Sequence, residues 1–341
     1  MGANVNIEDL VTSRRAWLRA AVASIGPALA LRATATESVV VRLGVLQFGT
    51  VQWIADVVRR HALDTPNGIA LQTSLLANTD AGRVALMAGA VDVVVADWLF
   101  VANQRAAGTK LCFAPFSAAT GGVLVRHEAP IRTLGELRDR RLGVAGGPTD
   151  KSWLVVQAAG RSIAGIDLAA AARVVYGAPP LLGAKLEQGE LDAVLTFWNF
   201  AARLLAAGCR EVISVADCSG ALGLPATTPL IGYVFHEDWA EQHRAAIDGF
   251  LAAARAAEDL LATSDAEWQS LRRLMDAEDD TVFAQLRARF VAGISHPSVN
   301  AQQAAAQLLL DILMRTGGEK ATGGVDALPA GVFWRATDRE G

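Results

Sequence analysis

The sequence predicts an α/β fold built as two similar lobes, each a mostly parallel sheet flanked by helices, and three observations carry that expectation. Gly89-Ala-Val-Asp92-Val-Val-Val-Ala-Asp97-Trp98-Leu-Phe100 recurs one hundred residues later as Gly189-Glu-Leu-Asp192-Ala-Val-Leu-Thr196-Phe197-Trp198-Asn199-Phe200. Positions 89–108 and 189–208 share nine identities in twenty, and the paired Asp and Trp are not explained by an alanine-rich composition. Short apolar runs alternate with helical patterns in both halves, which is the pattern of βα units and a parallel sheet.

The first 35 residues stand apart. Ser13-Arg14-Arg15-Ala16-Trp17-Leu18-Arg19 precedes an apolar run from Ala20 to Leu31, and Ala33-Thr34-Ala35 follows. A charged region, a hydrophobic region and small residues in that order read as a cleavable export signal, and the adjacent arginines resemble the twin-arginine type. The apolar run is too short to span a bilayer, which takes roughly 20 residues. Removing residues 1–35 leaves 27 basic against 33 acidic groups, a net charge of −6. A surface of that sign repels phosphate backbones, so a nucleic-acid partner is excluded.

Within each copy the elements follow in the same order. A first buried strand is expected at 43–46 and 142–145, a second at 69–72 and 173–176, a helix closing at Gly89 or Gly189, and a third strand at 92–96 and 192–196. Arg42-Leu43-Gly44-Val45 matches Arg141-Leu142-Gly143-Val144, and Trp53 and Trp153 follow. Gly121 to Val125 reads as an outgoing crossing and Pro229 to Phe235 as the returning strand, two crossings that together form a hinge. The expected domains are therefore residues 36–122 with 230–341 as one lobe and 123–229 as the other. Beyond the returning strand, helices are expected from Asp238, from the capping box Ser264-Asp-Ala-Glu267, at 281–292 and at 300–316, cladding the first lobe. Cys112, Cys209 and Cys218 are read as unpaired packing residues, because an intervening strand at about 3.3 Å per residue holds Cys209 and Cys218 apart.

Thr133-Leu-Gly-Glu-Leu-Arg-Asp-Arg-Arg-Leu-Gly-Val144 and Leu186-Glu-Gln-Gly-Glu-Leu-Asp-Ala-Val194 resemble two segments of the nitrate/sulfonate/taurine and thiamine-precursor branch of periplasmic ABC-transporter substrate-binding proteins. The resemblance covers residues 41–260. It implies the two-lobed type II periplasmic-binding-protein fold, a periplasmic location, a small molecule enclosed between lobes, and an ABC permease in the inner membrane as partner. No cofactor or metal is expected, since the five histidines lack metal-ligand spacing, and neither a phosphate-binding loop nor a nucleophile elbow is present. The rivals are a periplasmic ligand sensor and an enzyme on the same scaffold, like the pyrimidine-precursor synthases of this family, whose cysteine-rich motif this chain lacks. A monomer is expected.

In a parallel sheet ligands sit beyond the carboxyl ends of the strands. The loops there contribute Gly49, Thr50, Trp53, Asn78, Asp97, Trp98, Ser117 and Thr120 from the first copy. From the second come Gly147, Thr149, Asp150, Trp153, Tyr176, Thr196, Trp198 and Asn199. Tryptophans beside a cleft supply rigid stacking surfaces, but they equally serve as core residues at strand–helix junctions. Asp97 at a strand end needs either a cationic ligand or an Arg or Lys partner. Gly146-Gly147 ahead of a helix offers backbone N–H groups, and Thr149 or Asp150 is also an ordinary cap. With aromatics and acids plentiful and Lys151 the main base, the loops favour a flat, nitrogen-containing or weakly polar ligand.

Overall fold

The computed structural model describes residues 38–47, 49–225, 228, 230–277 and 279–336. Residues 1–35, where an export signal is expected, lie outside the described residues, as does Phe48.

Ten strands form two five-stranded sheets. The first contains β1 (Val39–Leu46), β2 (Ile69–Leu76), β3 (Val93–Asp97), β4 (Leu111–Ser117) and β10 (Ile231–His236), in the order β2-β1-β3-β10-β4. The second contains β5 (Gly122–Val125), β6 (Arg141–Ala145), β7 (Arg173–Gly177), β8 (Ala193–Thr196) and β9 (Arg210–Ser214), in the order β7-β6-β8-β5-β9. The orders are equivalent, and in each sheet one strand arrives from the other half of the chain and runs antiparallel to its neighbours. That strand is β10 in the first sheet and β5 in the second. Two crossings of opposite direction therefore join the lobes, which is the arrangement of the two-lobed type II periplasmic-binding-protein fold.

Each sheet forms where the sequence supplies β-branched and leucine runs buried on both faces, as in Val93-Val-Val and Ala193-Val-Leu. The strands are held in register at their starts by a repeated ion pair. Arg42 clamps Asp92 through Nε and Nη2 (3.0 and 2.5 Å), and Arg141 clamps Asp192 in the same way (3.1 and 2.8 Å). Asp92 and Asp192 thus sit at the sheet ends away from the cleft, tying Arg42 within β1 to the start of β3 and the start of β6 to that of β8. At the crossing, a Cβ on Gly121 would lie 1.7 Å from the Thr196 carbonyl oxygen, so only glycine lets the outgoing strand pass that close.

Between the strands, helices Val51–Arg60, Thr79–Met87 and Trp98–Ala106 serve the first sheet, and Lys151–Ala164, Pro179–Glu187 and Trp198–Ala206 the second. The helix expected from Asp238 is broken at His243, giving Glu237–Gln242 and then Arg244–Thr263. His243 leaves helical geometry (φ −121°, ψ 38°) and its Nδ1 contacts the Trp239 carbonyl at 3.0 Å.

The C-terminal helices correct one expectation. They do not clad the first lobe alone. Asp280–Ala292 packs on helix Trp198–Ala206, and Val299–Gly317 packs on helix Lys151–Ala164, both of the second lobe. Arg203 donates to the carbonyls of Met275 and Asp276 (2.8 and 3.0 Å), and Arg289 pairs with Glu211 at 2.7 Å. Consequently one apolar core joins Trp98 and Val101 of the first lobe with Trp153 and Leu154 of the second through Leu309, Leu310 and Leu313. Periodicity shows which face of these helices is apolar, and nothing local in the sequence says which lobe covers it.

Cys112 and Cys218 are buried and Cys209 half-buried, all three free. Burial pushes the Cys112 and Cys218 thiols up to about 12, which suits inert packing.

Candidate functional site

The carboxyl ends of β1 and β3 frame a mostly apolar cavity of roughly 110 Å³ lined by Gly49, Thr50, Leu46, Leu76, Thr79, Gly82, Val94 and Ile231. Gly49 and Thr50 come from the turn that leads into helix Val51–Arg60, which Thr50 starts without a side-chain cap. Thr79 opens the next helix, capped by Asn78, whose Oδ1 accepts from the Ala81 N–H at 2.9 Å. Asn78 is exposed and bound to that role.

Beside the cavity lies the charged centre of the seam. Ile231, which lines the cavity, is the register partner of Asp97 in the sheet. Asp97 caps helix Trp98–Ala106 through the Phe100 N–H (2.8 Å) and meets two cations, Arg83 from its own lobe and Lys151 from the other, each at 3.1 Å. Burial alone would raise the Asp97 carboxyl; Lys151, the Phe100 N–H and Arg83 outweigh it and hold it below its usual value. Of the two readings open for Asp97, the observed one is an ion pair across the lobes. Asp150, next to Lys151, caps helix Lys151–Ala164 by accepting from the Trp153 N–H (3.2 Å), and its carboxyl is pushed up by burial and by Asp97.

The tryptophans are placed differently from one another. Trp98 is fully buried in the core, and its Nε1–H has no hydrogen-bond partner among the described residues. Trp153 is likewise buried. Trp53 of the first lobe and Trp198 of the second meet edge to face across the seam, with centroids 6.0 Å apart. Trp268 and Phe290 of the C-terminal helices complete that cluster. All four tryptophans are more than nine-tenths buried, so in this conformation they pack against protein rather than presenting open stacking faces.

The remaining positions divide into buried and open. Thr196 at the end of β8 is buried with no partner for its Oγ1 among the described residues. Ser117 is buried and its Oγ accepts from the Ala119 N–H (3.0 Å). Thr120, Gly147 and Asn199 are half-buried, while Thr149 and Tyr176 are exposed. The structure therefore gathers Gly49 and Thr50 at the cavity, Asp97 and Asp150 at the charged centre, and Trp53 with Trp198 in the seam. Asn78, Thr149 and Tyr176 sit on open surface away from any described contact with that centre.

Sequence reasoning missed Arg83, which pairs with Asp97 and lies over the Phe100 ring at 4.7 Å. Its position three residues after Asp80 reads as an exposed helical pair, and that pair does exist at 3.4 Å. It also missed Gly44 and Gly82. Gly44 carried a weak signal: a Cβ there would meet the Leu76 side chain at 2.6 Å, and Gly143 occupies the matching place in the second copy. Among the described residues no cluster of His, Cys, Asp or Glu could hold a metal ion, and no helix is long and apolar enough to cross a membrane.

Two equivalent sheets, crossed twice by the chain and facing each other over a seam of charged and aromatic residues, define a two-lobed binding-protein scaffold. The sequence profile described as NMT1/THI5 like matches residues 66–266, and the chain belongs to that family. No curated protein matches it by sequence. Among solved structures, it is similar to the periplasmic aliphatic sulphonate binding protein SsuA from Escherichia coli. The TM-score is 0.71 at 20% identity, over 89% of this chain and 94% of that one. The alkanesulfonate-binding protein SsuA from Xanthomonas axonopodis pv. citri, bound to MOPS, gives 0.67 at 18% identity over 88% and 99%. The periplasmic nitrate-binding protein NrtA from Synechocystis PCC 6803 gives 0.58 at 14% over 87% and 86%.

Proposed function

We infer that this chain is an exported receptor of an ABC importer, which encloses a small organic molecule between its lobes and presents it to a membrane permease without covalent chemistry. Residues 36–122 with the returning strand and the helices after it are one jaw and 123–229 the other, the C-terminal helices of 230–341 bracing both, with residues 1–35 as a twin-arginine signal. The fold neighbours that support this include a periplasmic aliphatic sulphonate binding protein and a periplasmic nitrate-binding protein. The observation that carries the reading is the interlobe centre itself. Asp97 of one lobe and Lys151 of the other meet beside a cavity built from strand ends.

The same centre favours a ligand that accepts hydrogen bonds. Asp97 is already matched by two cations. Arg83 Nε, Trp98 Nε1 and Thr196 Oγ1 are buried without partners among the described residues, and a donor left so costs about 1–3 kcal/mol. A ligand with oxygen or ring-nitrogen acceptors, entering as the lobes part, would recover that cost; an amine would have to compete with Lys151. Gly49, Thr50, Asp97, Trp98 and Thr196 are the residues proposed to face it.

Native mass spectrometry of protein purified from its own periplasm, followed by calorimetry with the co-purified compound, tests the receptor. Stoichiometric capture of one small molecule, with affinity falling at least tenfold in Thr50→Trp, is expected; chemical conversion of the compound would replace the receptor by an enzyme. Replacing Arg14 and Arg15 with lysine should leave precursor in the cytoplasm, and unchanged export would remove the twin-arginine route.

A further inference from the structure

The two sheets have four edge strands, β2 and β4 in the first and β7 and β9 in the second. An open edge invites another strand, and natural sheets blunt theirs with charge, proline, short length or a covering segment. Three of these edges carry such a device. On β4 the Phe113 N–H donates to the Val332 carbonyl (2.7 Å) and the Trp334 N–H to the Phe113 carbonyl (2.8 Å), while Pro115 has no N–H to offer. On β9, Arg210 donates to the carbonyls of Ala129 and Ile131 (2.9 and 2.7 Å), and Glu211 accepts from Arg289 (2.7 Å). β7 is five residues long, starts on Arg173 and runs on into Pro179-Pro180.

β2 is different. It has eight residues, and from Ile69 to Thr79 the chain holds no charged residue and no proline. Asp64 covers the first half of its edge: its main-chain carbonyl accepts from the Ile69 N–H (3.2 Å) and its Oδ2 from the Leu71 N–H (3.1 Å). The Leu76 carbonyl accepts from the Gln47 N–H (3.3 Å), so the even-numbered residues turn their backbone groups to β1 and the odd-numbered ones turn theirs outward. That leaves the N–H and C=O of Thr73 and Leu75 on the open side, with no partner there among the described residues. Gln72, Thr73, Ser74 and Leu75 are all exposed, Leu75 by 68%.

We propose that this half of β2 is a self-association surface, pairing antiparallel with β2 of a second copy of this chain about a two-fold axis at Ser74. With Leu71 already spent on Asp64, only that centre uses both outward residues. It sets Thr73 of each copy opposite Leu75 of the other, so every outward N–H meets a C=O. A second copy is the occupant because the segment matches itself. Identical strands avoid like charges face to face only where they carry none, and a charged partner would find nothing to pair with on 69–79. The contact is small, so the association is weak and reversible.

Oxidative cross-linking of the full chain tests the pairing, with circular dichroism confirming that each variant folds. About the proposed axis the two Ser74 residues form a non-hydrogen-bonded pair with Cα atoms about 4.5 Å apart, within disulfide reach. Ser74→Cys should therefore give a linked dimer in roughly tenfold higher yield than the wild type, whose own three cysteines set the background. Gln72→Cys should stay at that background, because its two copies would lie about 13 Å apart along the strands. Adding Leu75→Lys to Ser74→Cys should abolish the link, and adding Val175→Lys, at an exposed position on β7, should leave it unchanged. Folded Ser74→Cys protein that links no better than wild type would overturn the proposal. So would equal linking by Gln72→Cys, which marks random collision, or a link that survives Leu75→Lys or is lost with Val175→Lys.

Discussion

The two Asp-to-Trp segments at 92–98 and 192–198 began as matching sequences and have been put to different uses. Both keep the clamp at the start of the strand, Arg42 on Asp92 and Arg141 on Asp192. They diverge at the strand's other end. The first copy has Asp97, which caps its helix and bridges to Lys151 of the opposite lobe. The second has Phe197, which caps nothing and is partly exposed. Trp98 then turns into the apolar core shared by both lobes, while Trp198 packs edge to face on Trp53 across the seam. A repeat conserved where it sets the sheet has thus diverged where the lobes meet, so the seam and not the sheet carries what is particular to this protein.

The largest effect that would break the comparison is expected from Trp198→Ala. Removing a buried ring from the interlobe cluster should cost roughly 3–5 kcal/mol in denaturant unfolding, against less than about 1 kcal/mol for the neighbouring Phe197→Ala. Similar losses would mean that Trp198 holds no special place in the seam.

Next in size is Asp97→Ala, which deletes a cap and leaves Lys151 and Arg83 without their carboxylate; about 3 kcal/mol is expected near neutral pH. Because the folded carboxyl lies below its unfolded value, the wild-type advantage holds above the ordinary carboxylate range and fades as pH falls through the depressed value. An unfolding series at descending pH should therefore bring wild type and variant together, and a constant gap would contradict the pairing.

Helix Arg244–Thr263 follows β10, and its Glu258 sharpens the contrast between lobes through pH in the opposite direction. Its folded carboxyl is pushed up to about 8, so its contribution is fully present below the ordinary glutamate value and is lost as pH rises through about 8. Glu258→Gln should raise Tm at pH 8.5 by roughly 3–6 °C and change it little at pH 4. An equal shift at both values would show that the carboxyl is not titrating in the buried setting.

The smallest difference is expected between the two clamps. The Asp92 side chain is 4% exposed and that of Asp192 23%. Asp92→Asn should cost about 2 kcal/mol and Asp192→Asn under about 1, since solvent screens the more open pair. Equal costs would indicate that the clamps work through geometry alone.

How much of this was legible depends on the range over which each residue acts. The strands at 93–97 and 193–196 were readable because three or four consecutive apolar residues between turn signals can only be buried. Asp150 and Ser264 were readable as caps, because a cap acts within three residues of itself. Arg83 was not, because a helix surface arginine reads alike whether it faces solvent or a carboxylate fourteen residues on. Trp98 and Trp198 occupy the same place after their strands, and no local property separates the ring that enters the core from the ring that crosses the seam.

By itself the sequence determined the two-lobed α/β plan, since hydrophobic period, glycine placement and the hundred-residue repeat are all set by neighbours along the chain. Only the tertiary structure decided that the C-terminal helices brace both lobes, that Asp97 is satisfied from across the seam, and that the C-terminal segment covers the β4 edge. Each of these is a meeting of surfaces distant in sequence, and apolar area or an ionisable group specifies that it must be covered without specifying by what.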